Sequence, residues 1–153
     1  PYSTTVLPSS FTVDSVTHNL YCDSKTEEGG HPNAYQDLIQ STQASLTELV
    51  VSDYSKITFT YADSLAAPDA SSWLTHTFNE TGKGWINNTA VKLCLVDEKD
   101  YTNQTPTGYI AEINVIYRMS EYADTTYDPK LVVTFTPGAI VGGDEPFHGY
   151  FYH

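Results

Sequence analysis

The sequence predicts an all-β domain built as an antiparallel β-sandwich, and three observations carry that expectation. The composition is 13% aromatic and 17% charged, with 12 tyrosines, and it is rich in Thr and Ser, a mixture that suits half-buried strands better than helices. Several segments alternate apolar and polar residues with period two, so that one face can meet a core and the other water. They follow one another at short, turn-punctuated intervals with no βαβ rhythm, which favours a sandwich over a parallel sheet.

The elements follow in order. "FTVDSVTHNLYCD" supplies a strand running into Tyr21 and Cys22. "NAYQDLIQSTQASLTELVV" places Tyr35, Leu38, Ile39, Leu46, Leu49 and Val50 at mixed spacings, so a short helix and a strand-loop-strand both fit. In "SKITFTYAD", Ile57, Phe59 and Tyr61 share a face opposite Lys56, Thr58 and Thr60, and "AVKLCLVD" repeats the pattern with Val91, Leu93 and Leu95. The longer "GYIAEINVIYRMSE" sets Tyr109, Ala111, Ile113, Val115, Tyr117 and Met119 against Glu112, Asn114 and Arg118, and is expected to be the central strand. "PKLVVTFTPG" closes the set with Leu131, Val133 and Phe135, bounded by Pro129 and Pro137-Gly138, which do not easily continue a ladder.

The 153 residues suit one domain, with no internal repeat and no low-complexity linker. A formal net charge of -12 repels phosphate backbones and anionic membranes, so nucleic acid is not an expected partner. No apolar run approaches the roughly 18 residues of a membrane helix, so no membrane insertion is expected. The first residue is Pro1 rather than Met, which suggests that any leader is absent or already removed.

Cys22 and Cys94 are the only cysteines. Their separation resembles neither a redox pair nor a zinc knuckle, leaving a long-range disulfide or two buried thiols, with the disulfide preferred in an extracellular setting. Three Asn-X-Thr sequons start at Asn79, Asn87 and Asn103, each beside turn residues where a glycan acceptor is exposed. Trp73, Trp85 and the tyrosines could stack on sugars. Trp73 fits a core or interface position. "DEKD" at Asp97 to Asp100, with Asp124 and Asp128, could offer oxygen to calcium, but it lacks the spacing of an EF-hand loop and fits an acidic solvated turn, so no metal is assigned.

Catalysis finds little footing. There is no Gly-X-Ser-X-Gly elbow, no His-Glu-X-X-His pair and no phosphate-cradling loop. His18, His31, His76, His148 and His153 are scattered without ligand spacing, and Glu27 and Glu28, as adjacent residues, usually point apart. Neither an enzyme nor a cofactor is expected.

Five stretches, "LPSSFTVDSVTHNLY", "GKGWIN", "KLCLVDEKD", "TPTGY" and "YDPKLVVTFTP", occur in an order that resembles the jelly-roll, carbohydrate-binding-module-like β-sandwiches of bacterial surface and phage structural proteins. The resemblance runs from about Leu7 to Pro137 and implies a jelly-roll fold without a common chemistry, with Trp85 of "GKGWIN" as a buried core anchor rather than a sugar platform. Such domains carry a further strand, aromatic-Arg-Gly-aromatic-aliphatic-aromatic, ahead of the position of Pro8. Here only "PYSTTVL" precedes it, while the tail carries Phe147, His148, Gly149, Tyr150, Phe151 and Tyr152 in that pattern, with His148 where the Arg would stand.

The expectation is therefore a sandwich over residues 1–137 and, over 138–153, a Gly-containing linker with a candidate donor strand. A sheet that lacks a strand exposes unpaired backbone, and a strand donated by a neighbouring copy fills it, giving open head-to-tail assemblies. A tandem polypeptide, or an ordinary last strand within one subunit, are the other readings of the tail. The expected function is a structural subunit of an extracellular, glycosylated filament, with copies of itself and covalent glycans as partners. The alternative is a carbohydrate-binding or adhesive module.

Overall fold

The computed structural model describes residues 2–4, 7–27, 35–43, 50–87, 89–97, 113–119, 125–138 and 150–151. Its strands are β1 (Tyr2–Ser3), β2 (Phe11–Glu27), β3 (Tyr35–Ser41), β4 (Ile57–Ala66), β5 (Ser72–Thr77), β6 (Ala90–Val91), β7 (Leu93–Asp97), β8 (Ile113–Tyr117), β9 (Lys130–Pro137) and β10 (Tyr150–Phe151). One four-residue helix, α1 (Glu80–Lys83), and two 3-10 turns (Val51–Lys56 and Thr125–Tyr127) complete the described elements. Every described pairing is antiparallel. A five-stranded sheet runs β10-β9-β2-β5 with β8 also on β2, a three-stranded sheet runs β4-β3-β7, and β1 pairs with β6 as a short ribbon. The chain is an all-β antiparallel sandwich.

β2 organises the larger sheet. Its 17 residues extend for about 55 Å at 3.2–3.4 Å per residue, long enough to take β9 along its first half, β8 along its second and β5 at its middle. Two β-bulges interrupt it. Val13 faces Phe135 and Ser15 faces Thr134, leaving Asp14 extra, and Cys22 faces Tyr117 while Ser24 faces Ile116, leaving Asp23 extra. An extra residue flips the side-chain alternation and re-aims the bulged side chain. Phe11 and Val13 accordingly pack against the core before the first bulge, and Val16, His18, Leu20 and Cys22 are buried after it. Both bulged carboxylates are then met by the partner strand's side, Asp14 by the Thr136 hydroxyl at 2.9 Å and Asp23 by Arg118.

The core lies between the sheets. Val16, Leu131, Val133 and Phe135 come from the larger sheet, Leu38 and Ala62 from the smaller, and Leu7, Phe78, Ile86 and Val91 close it. β9 alternates as its sequence predicts, with Leu131, Val133 and Phe135 buried. Leu93 and Leu95 pack against the core and Val91 is buried, also as predicted.

Two expectations change and one open reading is decided. The central strand is β2, not the "GYIAEINVIYRMSE" strand, whose described part, β8, pairs with β2 alone among the described residues, residues 108–112 and 120–121 of that stretch lying outside them. On β4 the face is carried by Ala62, while Tyr61 is 44% exposed, because the β3–β4 register shifts around Ile39 and displaces the simple alternation. The ambiguous segment forms strand β3 over Tyr35–Ser41 rather than a helix, since Leu38 and Ile39 are pinned between β4 and β7.

Candidate functional site

The outer face of the five-stranded sheet gathers aromatic and basic side chains. Alternation turns Tyr21 of β2, Trp73 of β5 and Lys130 of β9 away from the core, since Leu20, Cys22, Leu74 and Leu131 point inward. The 3-10 turn Thr125–Tyr127 lays Tyr127 over them. Tyr21 and Tyr127 have ring centroids 4.1 Å apart, and Trp73 meets Tyr21 edge-on at 5.3 Å. The Arg118 guanidinium stands 4.7 Å from the Tyr127 centroid and 5.6 Å from that of Tyr21, and Lys130 Nζ lies 5.3 Å from that of Trp73. These are cation–π distances. Asp23 fixes Arg118, accepting from Nε at 2.8 Å and lying 2.7 Å from Nη2. Beside the cluster, Thr75 donates to Asn19 Oδ1 at 2.8 Å. Trp73 remains 40% exposed. The patch thus joins an open aromatic surface to two cations and to the hydroxyl and amide of Thr75 and Asn19.

The other tryptophan does different work. Trp85 packs partly buried against the core and meets Phe78 edge-on at 6.2 Å, as an anchor would. Gly82 makes that packing possible, because a Cβ there would sit 2.5 Å from Ala62 Cβ and 2.9 Å from the Phe78 ring.

The sequons separate into two geometries. Asn79 is exposed and caps α1, its Oδ1 accepting from Gly82 N at 3.0 Å while its Nδ2 donates to Tyr61 O at 3.0 Å. Asn87 is exposed in an Asx turn, where its Oδ1 accepts from Thr89 N at 2.8 Å and from the sequon hydroxyl of Thr89 at 2.6 Å. Asn103 lies outside the described residues.

Of the tail, Tyr150 and Phe151 form β10 on the outer edge of β9, Tyr150 opposite Thr134 and Phe151 opposite Val133 of the same chain. Phe147, His148, Gly149 and Tyr152 lie outside the described residues.

Cys22 and Cys94 are free thiols, in place of the expected bridge. They belong to different sheets, and alternation explains their separation. Cys22 faces inward, whereas Cys94 sits between Leu93 and Leu95, which pack on the core, so its side chain leaves the opposite face of β7. The Cys22 thiol donates to Ser24 O at 3.4 Å and the Cys94 thiol to Leu95 O at 3.5 Å. Burial pushes both thiols above their ordinary pKa.

Sequence spacing missed one cluster altogether. His18 and His76 are directly opposed across β2 and β5, stacked with centroids 6.4 Å apart, and only 4% and 0% exposed. Asp63 of β4 brings Oδ2 to 3.6 Å from His76 Nδ1. The available signal was phase: "VTHNL" and "WLTHTF" each put His at the position of the inward aliphatic residues. His31, His148 and His153 lie outside the described residues, as do Glu98, Lys99, Asp100 and Asp124 of the acidic turn. Among the described residues no group of three or more His, Cys, Asp and Glu is arranged to hold a metal ion, and no helix is long and apolar enough to cross a membrane.

Compared with protein-family models, curated proteins and solved structures, the chain matches none of them. What the fold and site define is a class, the antiparallel β-sandwich with an aromatic, cation-bearing outer face.

Proposed function

We propose that the chain is a non-catalytic subunit of an extracellular filament, assembled when the C-terminal strand of one copy adds to β9 of the next. The placement of β10 supports this reading. Among the described residues it is an edge strand that meets β9 at Tyr150 and Phe151, and residues 138–149 intervene between it and Pro137. An edge ladder is filled equally well by a chain's own strand or by the identical strand of a neighbour, and exchange of that kind is a low-cost route to open, head-to-tail assembly. Asn79 and Asn87, both exposed on turns, would carry glycans outward from such a fibre.

Two variants test the exchange, Thr134→Cys in one chain and Tyr150→Cys in another, mixed under assembly conditions and then oxidised. A covalent dimer of the two chains is expected. If each variant remains unlinked to the other, while the double variant closes within one chain, the strand stays at home and the filament reading falls.

A second reading is favoured by the cluster of Tyr21, Trp73 and Tyr127 with Arg118 and Lys130, whose exposed ring and adjoining polar groups suit saccharide stacking and hydroxyl recognition. In that case the chain is a carbohydrate-binding or adhesive module. Specific retention on a glycan array, lost in Trp73→Ala, would support it, and an array without signal would remove it.

A further inference from the structure

The two described sequons offer the same kind of tripeptide under opposite constraints. At Asn79 the backbone and the side chain are both engaged by the fold. Its N donates to Ala62 O at 2.9 Å, its O accepts from Lys83 N at 2.9 Å, its Nδ2 donates to Tyr61 O at 3.0 Å and its Oδ1 accepts from Gly82 N at 3.0 Å. Two of these bonds reach back to β4 and the other two begin α1, into which Thr81, the hydroxyl residue of this sequon, is wound. Gly82 of the same turn is buried and packs so closely on Ala62 and Phe78 that a Cβ would have no room. Freeing the Asn79 sequon therefore means unwinding α1 from β4.

The side chain of Asn87 is held instead by its own turn. Its Oδ1 accepts from Thr89 N at 2.8 Å, from Thr89 Oγ1 at 2.6 Å and from Ala90 N at 3.3 Å, while its Nδ2 donates to Trp85 O at a long 3.4 Å. These partners all lie within three residues, and Asn87 and Thr89 are both exposed. The arrangement matters for chemistry at Nδ2. A carboxamide nitrogen is a poor nucleophile because its lone pair is delocalised into the carbonyl, so it attacks as its proton leaves and negative charge develops on Oδ1. Three donors already aimed at Asn87 Oδ1 stabilise that charge without reorganisation, in the manner of an oxyanion hole. At Asn79 the donor to Oδ1 is the backbone of α1, and withdrawing it to release the sequon undoes the cap.

We propose that Asn87 accepts a glycan on the folded chain, whereas Asn79 accepts one only before α1 has closed on β4. The donor is a sugar carried on a lipid pyrophosphate. In the transfer the Nδ2–C1 bond forms, the C1–O bond to phosphate breaks and its electron pair leaves with the pyrophosphate, and the Nδ2 proton passes to a base of the transferase. The inference rests on the glycan-bearing part of the filament reading and adds an order of events to it. Releasing Asn79 breaks two side-chain hydrogen bonds, one of them a helix cap, which lowers its availability in the folded chain by a factor of about 10 or more.

The whole folded chain, incubated with a purified oligosaccharyltransferase and a lipid-pyrophosphate-linked oligosaccharide, tests it, the occupancy of each site being read by mass spectrometry of its peptides. Asn87 is expected to fill at least about tenfold faster than Asn79. The difference should disappear when the same machinery meets the chain during its synthesis in microsomes. Gly82→Ala, which presses α1 away from β4, should raise the Asn79 rate and leave that of Asn87 unchanged, and should this variant fail to fold, the comparison within the unaltered chain decides. Equal filling of the two sites in the folded chain, a preference just as large during synthesis, or an Asn87 that fills during synthesis but stays bare once folded overturns the proposal. A chain that is bare as isolated from its source, with the preference in the transferase assay intact, removes glycans from the filament reading and leaves the inference standing.

Discussion

Arg118 reaches a single carboxylate oxygen of Asp23, from Nε at 2.8 Å and from Nη2 at 2.7 Å. Asp23 is the extra residue of the second bulge in β2, so a register irregularity is what turns the carboxylate toward the end of β8. The same guanidinium covers the rings of Tyr21 and Tyr127. Both partners are partly exposed, and the pair contributes about 1 kcal/mol or less on its own. Asp23→Asn is expected to lower stability by that amount with a visible salt dependence. Arg118→Ala should cost more, about 1–2 kcal/mol, because the aromatic contacts go too. Urea unfolding at low and high salt separates the two, and equal losses would remove the cation–π contribution.

Asn79 joins the start of α1 to β4 through both ends of its amide. Asn79→Ala is expected to cost about 1–2 kcal/mol, as the loss of a helix cap and of a second hydrogen bond. Asn87→Ala removes an exposed Asx turn and should cost about half as much or less. Denaturant midpoints of the unglycosylated variants check the ranking, which would be reversed if Asn79 served only as a sugar acceptor.

Gly82 is set by contact rather than by dihedral. A methyl group there would press on Ala62 Cβ and the Phe78 ring, beside the Trp85 anchor, and Gly82→Ala is expected to destabilise by about 1–3 kcal/mol despite the better helix propensity of Ala. Thermal unfolding of Gly82→Ala against Gly84→Ala, whose added Cβ would come no nearer than 3.2 Å to Thr81 O, gives the comparison. A Gly82→Ala variant as stable as the parent would mean that the strand and helix can move apart freely.

Cys22 should resist alkylation at pH 8 while the chain is folded, since its thiol is buried and its pKa raised, and the half-buried Cys94, whose pKa burial also raises, should react more slowly than a free thiol. After unfolding without reductant, the mass should show two adducts. No adduct would mean that the bridge between Cys22 and Cys94 forms after all.

How much of this was legible depends on what each residue's neighbours are. β9 was readable because Leu131, Val133 and Phe135 keep one phase from end to end. β2 was readable as a strand but not as the hub, since nothing in "FTVDSVTHNLYCD" marks Asp14 and Asp23 as extra residues until β9 and β8 lie beside it. The histidine pair was hidden for the same reason: spacing along the chain says nothing of which strands become neighbours. The disulfide went astray on information that was present, because the phase that turned Leu93 and Leu95 inward turned Cys94 away. Trp85 and Trp73 divided as their contexts suggested, one packed on the core and one left 40% exposed.

The length of β2 has a consequence for the making of the protein. Its first half waits for β9, and its second half for β8, so the strand finds most of its partners only after β3 to β7 have been made. The three-stranded sheet of β3, β4 and β7 can pair sooner. Until β8 and β9 emerge, the side of this strand of about 55 Å that they cover is a template for any other extended chain, and a topology so rich in distant contacts folds slowly. The two bulges then act during this interval as well as in the finished fold, since they interrupt the straight edge that a foreign strand would need.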